Sequence, residues 1–223
     1  MSAGPEIVRA FKIPIARREV LRLLGAGGRE DGLAETTRRM VEEAERLGRE
    51  LAAPQGVYRI LEPPETGRLG PLRDERQAGL AICTIGPELE QKVRQLMSTG
   101  YEPEGYVLDA VGSVAAEAAA DVVNAKICHW AEAHGLQATP RFSPGYGDWS
   151  LEEQRQIFRL LPAGEVGMSL NPSCMMIPRK SVSFAVRFTE QTGPAPSGNP
   201  CERCGLVNCP FRKEKKKAET ETP

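Results

Sequence analysis

The sequence is poor in aromatic residues and histidine, and it has no long hydrophobic run. Aromatic side chains make up 5% of the 223 residues, and there are two histidines. No window approaches the roughly 18 apolar residues that a membrane-spanning helix needs. The first twenty residues also lack the apolar core of a secretory signal. We therefore expect a cytoplasmic protein without a membrane partner.

Neither sign of charge is in surplus. The chain has 29 Lys and Arg residues against 30 Asp and Glu residues, a formal net charge of −1. Such a balance creates no overall field that attracts nucleic acid, so no nucleic-acid partner is expected. The two histidines, His129 and His134, are five residues apart, whereas helical zinc ligands prefer a spacing of three or four. They are predicted to be surface residues.

Six cysteines occur in the chain, and in a cytoplasmic protein they are expected to be thiols or metal ligands rather than disulfides. Three of them, Cys201, Cys204 and Cys209, fall within nine residues that show no hydrophobic periodicity. This spacing is typical of thiolates that bind a zinc ion or an iron–sulfur cluster. A fourth ligand is left open: Cys128, Cys174 or a group of another molecule.

The length and composition predict one domain with a small appendage. Residues 1–192 form the predicted domain, and residues 193–200, rich in Gly, Pro and Ser, form a linker. Residues 201–223 form a cysteine-rich tail with a lysine-rich end.

Hydrophobic periodicity predicts an α+β fold with a mixed, largely antiparallel sheet flanked by helices. The continuous apolar segment 79–85 is expected to be a central buried strand, in which Cys83 is an inert thiol. Segments 165–170 and 181–188 alternate like two paired strands. Ser150 and Glu153 match a capping box at the start of a helix that ends near residue 161. The remaining predicted elements are strands 6–13 and 56–61 and helices 16–24, 33–53, 87–100 and 105–134.

The loop 141–149 combines a basic residue, aromatic residues and turn-forming residues. Pro144 and Gly145 favour a tight turn with exposed backbone amides and carbonyls. The guanidinium of Arg141 suits a carboxylate, and the rings of Tyr146 and Trp149 suit a flat ligand. The alternative is an ordinary surface turn whose aromatic residues cover the edge of the core.

The helix 105–134 is dense in Ala, Gly and Ser, which allows neighbouring backbone or a ligand to approach closely. Glu117, set among alanines, is the carboxylate that we select as a binding residue. Asp121 lies one turn further on and can face the same partner, although we favour a solvated edge for it.

Several of these stretches resemble one family, the S-adenosylmethionine-binding activation domain of cobalamin-dependent methionine synthase. The helix segment 108–118, with its Ala-Glu-Ala core, is similar to a helix of that domain. Arg141-x-x-Pro-Gly-Tyr146 resembles its Arg-Pro-x-Pro-Gly-Tyr loop, and segment 167–183 resembles its final strand–turn–strand. The segment 13–25 looks like the start of the stand-alone form of the domain. The resemblance covers most of residues 7–188.

The resemblance implies binding roles for particular residues and no catalytic side chain. Arg141 would bind the methionine carboxylate of S-adenosylmethionine, and Glu117 would accept hydrogen bonds from its polar groups. Tyr146 would lie beside the ligand. The backbone next to the adenine would come from the loop residues Ser143, Pro144 and Gly145. The family's second carboxylate, which precedes the arginine, aligns near Gly135, with Glu132 as a substitute.

The function that the resemblance implies is that of a stand-alone activation subunit. It would support reductive remethylation of an oxidised cobalamin, or other corrinoid, on a partner methionine synthase or corrinoid methyltransferase. A flavodoxin or ferredoxin would supply the electron, and the cysteine tail would bring it close. The catalytic, cobalamin-binding and folate-binding modules of methionine synthase are not found in these residues. Two alternatives stay open: an S-adenosylmethionine-sensing adaptor that only docks on a corrinoid protein, and a metal-binding interaction protein.

Overall fold

The computed structural model describes residues 4–190, which form an α+β fold around one curved antiparallel sheet. In chain order the elements are β1 (Glu6–Arg9), α1 (Arg17–Leu23), α2 (Glu35–Leu51), β2 (Gln55–Leu61), β3 (Ala78–Thr84), α3 (Glu88–Ser98), α4 (Glu102–Ala133), β4 (Leu136–Ala138), α5 (Gln154–Leu160), β5 (Ser169–Leu170), β6 (Met176–Ile177) and β7 (Ser181–Glu190). Short 3-10 helices occur at Thr66–Arg68, Gly70–Leu72, Leu151–Glu153 and Ala163–Val166. None of the helices within residues 4–190 is long and apolar enough to span a membrane.

The main sheet has the strand order β1-β2-β3-β7-β4, and each neighbouring pair is antiparallel. The predicted α+β fold with an antiparallel sheet is therefore confirmed. All seven residues of β3 are buried, as the apolar segment predicts for a central strand. Because β3 is covered on both faces and paired on both edges, it forms the middle of the structure.

Alternate residues of the strands face two separate hydrophobic layers. On one face, Phe184 and Val186 of β7 pack in a core that contains α4 and buried residues of α1, α2 and α3. On the other face, Ala185 packs with Trp149 and with Ile157 of α5. We call these the α4 side and the α5 side of the sheet.

Small residues on α4, and on the elements packed against it, allow close contacts. A Cβ on Gly112 of α4 would lie 2.5 Å from Leu89 Cδ2. A Cβ atom on Gly48 of α2 would lie 2.4 Å from Val111 Cγ1, so only glycine permits this helix contact. A Cβ on Gly79 of β3 would lie 2.5 Å from Ile127 Cγ2. α4 consequently has fifteen buried residues over most of its circumference. The other 17 of its 32 residues are half-buried or exposed, and Glu117 and Asp121 are among the exposed ones.

The predicted pairing of segments 165–170 and 181–188 is wrong. Residues Ala163–Val166 form a 3-10 helix, and the short β5 pairs with β6 rather than with β7. β7 instead lies between β3 and β4. Alternation identifies a strand with one covered face, but it does not identify the strand's partner. The turn at Cys174, whose φ of 61° is left-handed, closes the local β5–β6 hairpin.

Two predicted boundaries also differ from the structure. β1 ends at Arg9 rather than near residue 13, because Ala10 has a left-handed φ of 53° that interrupts the extended backbone. The capping box is not formed: Ser150 Oγ accepts from the amide of Glu152 at 3.3 Å. The Glu153 carboxylate is bound elsewhere, so the segment starts as a 3-10 helix before α5 begins.

The Cys83 thiol, one residue before the end of β3, gives a testable pH dependence. Burial raises the pKa of Cys83 to about 12, whereas a thiol in an unfolded chain has a pKa of about 8.5. Between these values the folded state keeps a proton that the unfolded state releases, so stability falls as the pH rises. Over this window the slope is about 1.4 kcal/mol per pH unit for one group.

We expect the free energy of unfolding, measured in urea between pH 8 and pH 10.5, to fall more steeply in the wild type than in Cys83→Ala. Tyr58, whose pKa is also raised by burial, contributes equally to both proteins. Parallel curves would show that Cys83 ionises in the folded protein.

Candidate functional site

The backbone beyond β4 continues along the edge of β7 and positions Arg141. Phe142 pairs with Ala185 through two backbone hydrogen bonds of 3.0 and 2.9 Å. Successive side chains of an extended strand point to opposite faces, so this pairing directs Arg141 and Phe142 to opposite faces of the sheet. The guanidinium carbon of Arg141 lies 5.2 Å from the centre of the Phe184 ring, on the α4 side. A cation over an aromatic face is attracted to it, which fixes the orientation of the arginine.

Two carboxylates of α4 bind the same nitrogen of Arg141. Nη2 donates to Asp121 Oδ1 at 2.7 Å and to Glu117 Oε2 at 3.3 Å. We call these three residues the Arg141 cluster. The structure thus brings together Arg141 and Glu117, the two side chains that the sequence predicted to share a site. It adds Asp121, which the sequence analysis treated as a solvated edge, although its one-turn spacing from Glu117 was the signal for this contact.

The other terminal nitrogen of Arg141 is left without a protein partner. Nη1 is buried and has no hydrogen-bond acceptor within residues 4–190. The arginine side chain is 17% exposed, whereas Glu117 and Asp121 are 58% and 64% exposed. A buried guanidinium N–H without an acceptor is energetically costly. Nη1 therefore has hydrogen-bonding capacity that no group within residues 4–190 uses, and a ligand oxygen would reach this buried atom after a shift of the side chains around it.

A second basic residue contacts α4 closer to its N-terminus. It is Lys180, which immediately precedes β7. Lys180 Nζ lies 2.8 Å from Asp109 Oδ1 and donates to Ser113 Oγ at 2.9 Å. Its aliphatic stem lies against Gly112, where a Cβ would be 3.2 Å from Cε. This contact attaches the start of β7 to α4, and no signal in the sequence predicted it.

The turn at residues 143–146 is closed by its own backbone. The Gly145 amide donates to Trp149 O at 2.8 Å, and the Tyr146 amide donates to Ser143 O at 3.3 Å. Gly145 has a φ of 86°, which glycine adopts without strain. Pro144 is buried and Ser143 is half-buried. These hydrogen bonds occupy the amides of Gly145 and Tyr146, which were expected to be exposed, and they also use the carbonyl groups of Trp149 and Ser143.

Tyr146 borders a groove on the α5 side of the sheet, whereas Arg141 faces α4. The groove has a volume of about 500 Å³. Its lining residues are Gly70, Pro71, Phe142, Tyr146, Asp148, Trp149, Glu153 and Arg187. The guanidinium of Arg187 lies 4.7 Å from the centre of the Phe142 ring. The 141–149 loop therefore contributes Arg141 to one side of the sheet edge and Tyr146 to the other.

Glu153 fixes the end of the 141–149 loop, and its replacement is expected to destabilise the fold. Its Oε2 accepts from Trp149 Nε1 at 3.0 Å and from the Gly70 amide at 2.8 Å. Glu153→Ala removes the acceptor of both hydrogen bonds, and we expect the free energy of unfolding to fall by about 1–2 kcal/mol. Urea unfolding followed by tryptophan fluorescence measures this loss. Glu152→Ala, at the exposed neighbour, is the control, and equal effects of the two changes would contradict the assignment.

The described residues do not form a metal site. Cys83 and Cys174 are buried and Cys128 is half-buried, all three as free thiols. Among residues 4–190, no group of three or more His, Cys, Asp or Glu side chains is placed to bind a metal ion. The exposed positions of His129 and His134 confirm that they are surface residues. The predicted ligands Cys201, Cys204 and Cys209 lie outside the described residues.

Comparison with known proteins gives a match in structure. No protein-family model matches the sequence, and no curated protein matches it. The crystal structure of the MetH reactivation domain bound to AdoHcy superimposes with a TM-score of 0.63. The match covers 82% of this chain and 78% of that chain, at 16% sequence identity. The chain has the reactivation-domain fold. At 16% identity the match establishes the fold alone. The resemblance of the sequence to the activation domain is therefore confirmed as a resemblance of fold.

Two of the side chains predicted from the sequence lie opposite each other in this fold. Glu117 lies on the central helix α4, and Arg141 lies at the sheet edge that faces it.

Proposed function

We propose that this chain is an activation subunit that binds S-adenosylmethionine and presents its methyl group to an oxidised corrinoid cofactor on a partner protein. The partner would be a cobalamin-dependent methionine synthase or another corrinoid methyltransferase. The observation that carries the proposal is the Arg141 cluster: a guanidinium with a buried, unpartnered Nη1, beside two carboxylates, in a reactivation-domain fold.

The residues present fit an amino-acid end group of a ligand. The free Nη1 donor of Arg141 suits a ligand carboxylate, because charge-assisted hydrogen bonds to a guanidinium are strong and directional. Glu117 and Asp121 have exposed oxygen atoms that suit an ammonium group nearby. The ligand would cross the sheet edge, because Tyr146 borders the groove on the α5 side. Its adenosine part would contact the carbonyl groups of Ser143 and Pro144 and the ring of Tyr146.

The chain's contribution is to position the reacting atoms. The fixed guanidinium and the rigid helix α4 would hold the sulfonium methyl carbon in one place, which replaces a bimolecular encounter by an oriented one. The partner's corrinoid, reduced by one electron from a flavodoxin or ferredoxin, is the methyl acceptor. The reduced cobalt of the corrinoid would supply the electron pair of the new bond to the methyl carbon. The carbon–sulfur bond would break with its electron pair on sulfur, and S-adenosylhomocysteine would leave. No acid or base is required from this protein.

The cysteine-rich segment has a proposed part in electron supply. Cys201, Cys204 and Cys209 have the spacing of thiolate ligands, and an iron–sulfur cluster there would carry an electron to the docked partner. Zinc is the alternative metal. Iron and sulfide analysis of anaerobically prepared protein separates the two. Protein that contains neither iron nor sulfide has no cluster, and the tail would then have no part in electron supply, because zinc is not redox-active.

Methyl transfer is the direct test of the proposed function. The protein is incubated anaerobically with a corrinoid protein in the cobalt(II) state, a reductant and S-adenosylmethionine labelled on its methyl group. We expect label on the corrinoid only when all components are present. Ligand binding without label transfer to any corrinoid protein would instead indicate an S-adenosylmethionine-sensing adaptor.

A further inference from the structure

The Arg141 cluster is negatively charged although it contains the residue that would bind a carboxylate. One guanidinium is paired with two carboxylates, so the formal charge of the three groups is −1. Asp121 makes the shorter contact, at 2.7 Å, and Glu117 the longer one, at 3.3 Å. A single carboxylate would suffice to orient the arginine. The second one gives the site an excess of negative charge.

That excess favours a ligand with a net positive charge. S-adenosylmethionine carries a sulfonium, an ammonium and a carboxylate, which sum to +1. The demethylated product, S-adenosylhomocysteine, has a neutral thioether and sums to zero. A site of charge −1 attracts the first molecule and has no net attraction for the second. The partial burial of Arg141 reduces solvent screening around the cluster.

We propose that Asp121 is a specificity-determining residue that makes the site prefer the sulfonium ligand to its thioether product. This inference rests on the proposed function and names the role of a residue in the same site. Asp121 binds Nη2 of Arg141 and leaves Nη1 for the ligand carboxylate. Arg141 and Glu117 together are neutral, so the charge of Asp121 gives the cluster its net charge of −1. Loss of the sulfonium charge on methyl transfer would then weaken binding and favour product release.

The test compares the affinities of two ligands in two proteins. Calorimetric titrations give the dissociation constants of S-adenosylmethionine and S-adenosylhomocysteine for the wild type and for Asp121→Asn. Asparagine keeps an oxygen that can accept from Nη2, so the orientation of Arg141 is preserved while the charge is removed. We expect the preference for S-adenosylmethionine to fall by about 3- to 10-fold, the effect of one unit charge at partly screened distances.

Two controls separate the effect of the lost charge in Asp121→Asn from an effect on the structure of the site. Sinefungin has a protonated amine in place of the sulfonium, and it should lose affinity in Asp121→Asn in parallel with S-adenosylmethionine. Asp109→Asn makes the same chemical change twelve residues earlier on α4, about 18 Å away. It is expected to leave the ratio of the two affinities unchanged.

The outcomes distinguish this inference from the proposed function. A smaller preference for the sulfonium in Asp121→Asn, but not in Asp109→Asn, supports the role of Asp121. Equal losses for both ligands would mean that Asp121 only orients Arg141, which overturns the inference and leaves the proposed function standing. A wild-type protein that binds neither ligand, both alone and with a corrinoid protein present, would overturn both.

Discussion

Arg141→Met is expected to lower the affinity for S-adenosylmethionine by about 10- to 100-fold. Hydrogen bonds to a charged group contribute about 1.5–3 kcal/mol each, and the variant removes the donor proposed for the ligand carboxylate. Methionine keeps an unbranched side chain against Phe184, where the guanidinium now lies. Calorimetric titration measures the change in the dissociation constant.

The control for this variant is Arg94→Met. Arg94 is a 62% exposed arginine of α3 that pairs with Glu90 of the same helix. We expect its replacement to leave ligand affinity unchanged. Glu117 and Asp121 are more than half exposed. When Arg141 is replaced, water can therefore form the hydrogen bonds that their carboxylates lose. The thermal midpoint of Arg141→Met is therefore expected to stay near that of the wild type. An unchanged affinity in a folded Arg141→Met protein would place the ligand elsewhere.

Gly79→Ala is expected to cause one of the largest losses of stability, about 3 kcal/mol. The added Cβ would lie 2.5 Å from Ile127 Cγ2 and 2.8 Å from Val186 Cγ2. Both neighbours are fully buried and branched at Cβ, so neither side chain has a free rotamer that relieves the contact. Overpacking of this kind typically costs about 1–3 kcal/mol, and two simultaneous contacts place this site at the upper end.

Urea denaturation measures this prediction, with Gly164→Ala as the matched control. A Cβ on Gly164 meets no atom within 4 Å, so the same added methyl group should change stability by less than about 0.5 kcal/mol. Similar values for the two variants would contradict the close packing of α4 on β3. Such a result would also weaken the case that α4 holds Glu117 and Asp121 at fixed positions.

The central part of the fold could be predicted because its signals are local. Segment 79–85 is a continuous apolar run, and it forms the buried strand β3. The small residues of helix 105–134 predicted close contacts, and Gly48 and Gly79 meet this helix at distances that exclude a side chain. Periodicity could not predict which strands pair. β5 pairs with β6 in a hairpin that closes at Cys174. The backbone of Cys174 is left-handed, which a cysteine at this position does not indicate.

The candidate site could be predicted only in part. Glu117 and Arg141 are 24 residues apart, and the resemblance to a known domain, not spacing, placed them together. Asp121 was missed because an exposed acid one turn from another acid is normally solvated. Glu153 matched a capping signature, but the distant Gly70 amide and the nearby buried indole of Trp149 compete for its carboxylate. In each case a tertiary partner decided the role of the side chain.

Titration of the purified protein with S-adenosylmethionine tests the central claim most directly. The account predicts saturable binding at one site per chain, weakened in Arg141→Met and unaffected in Arg94→Met. The absence of saturable binding, both for the protein alone and with a corrinoid protein present, would contradict it.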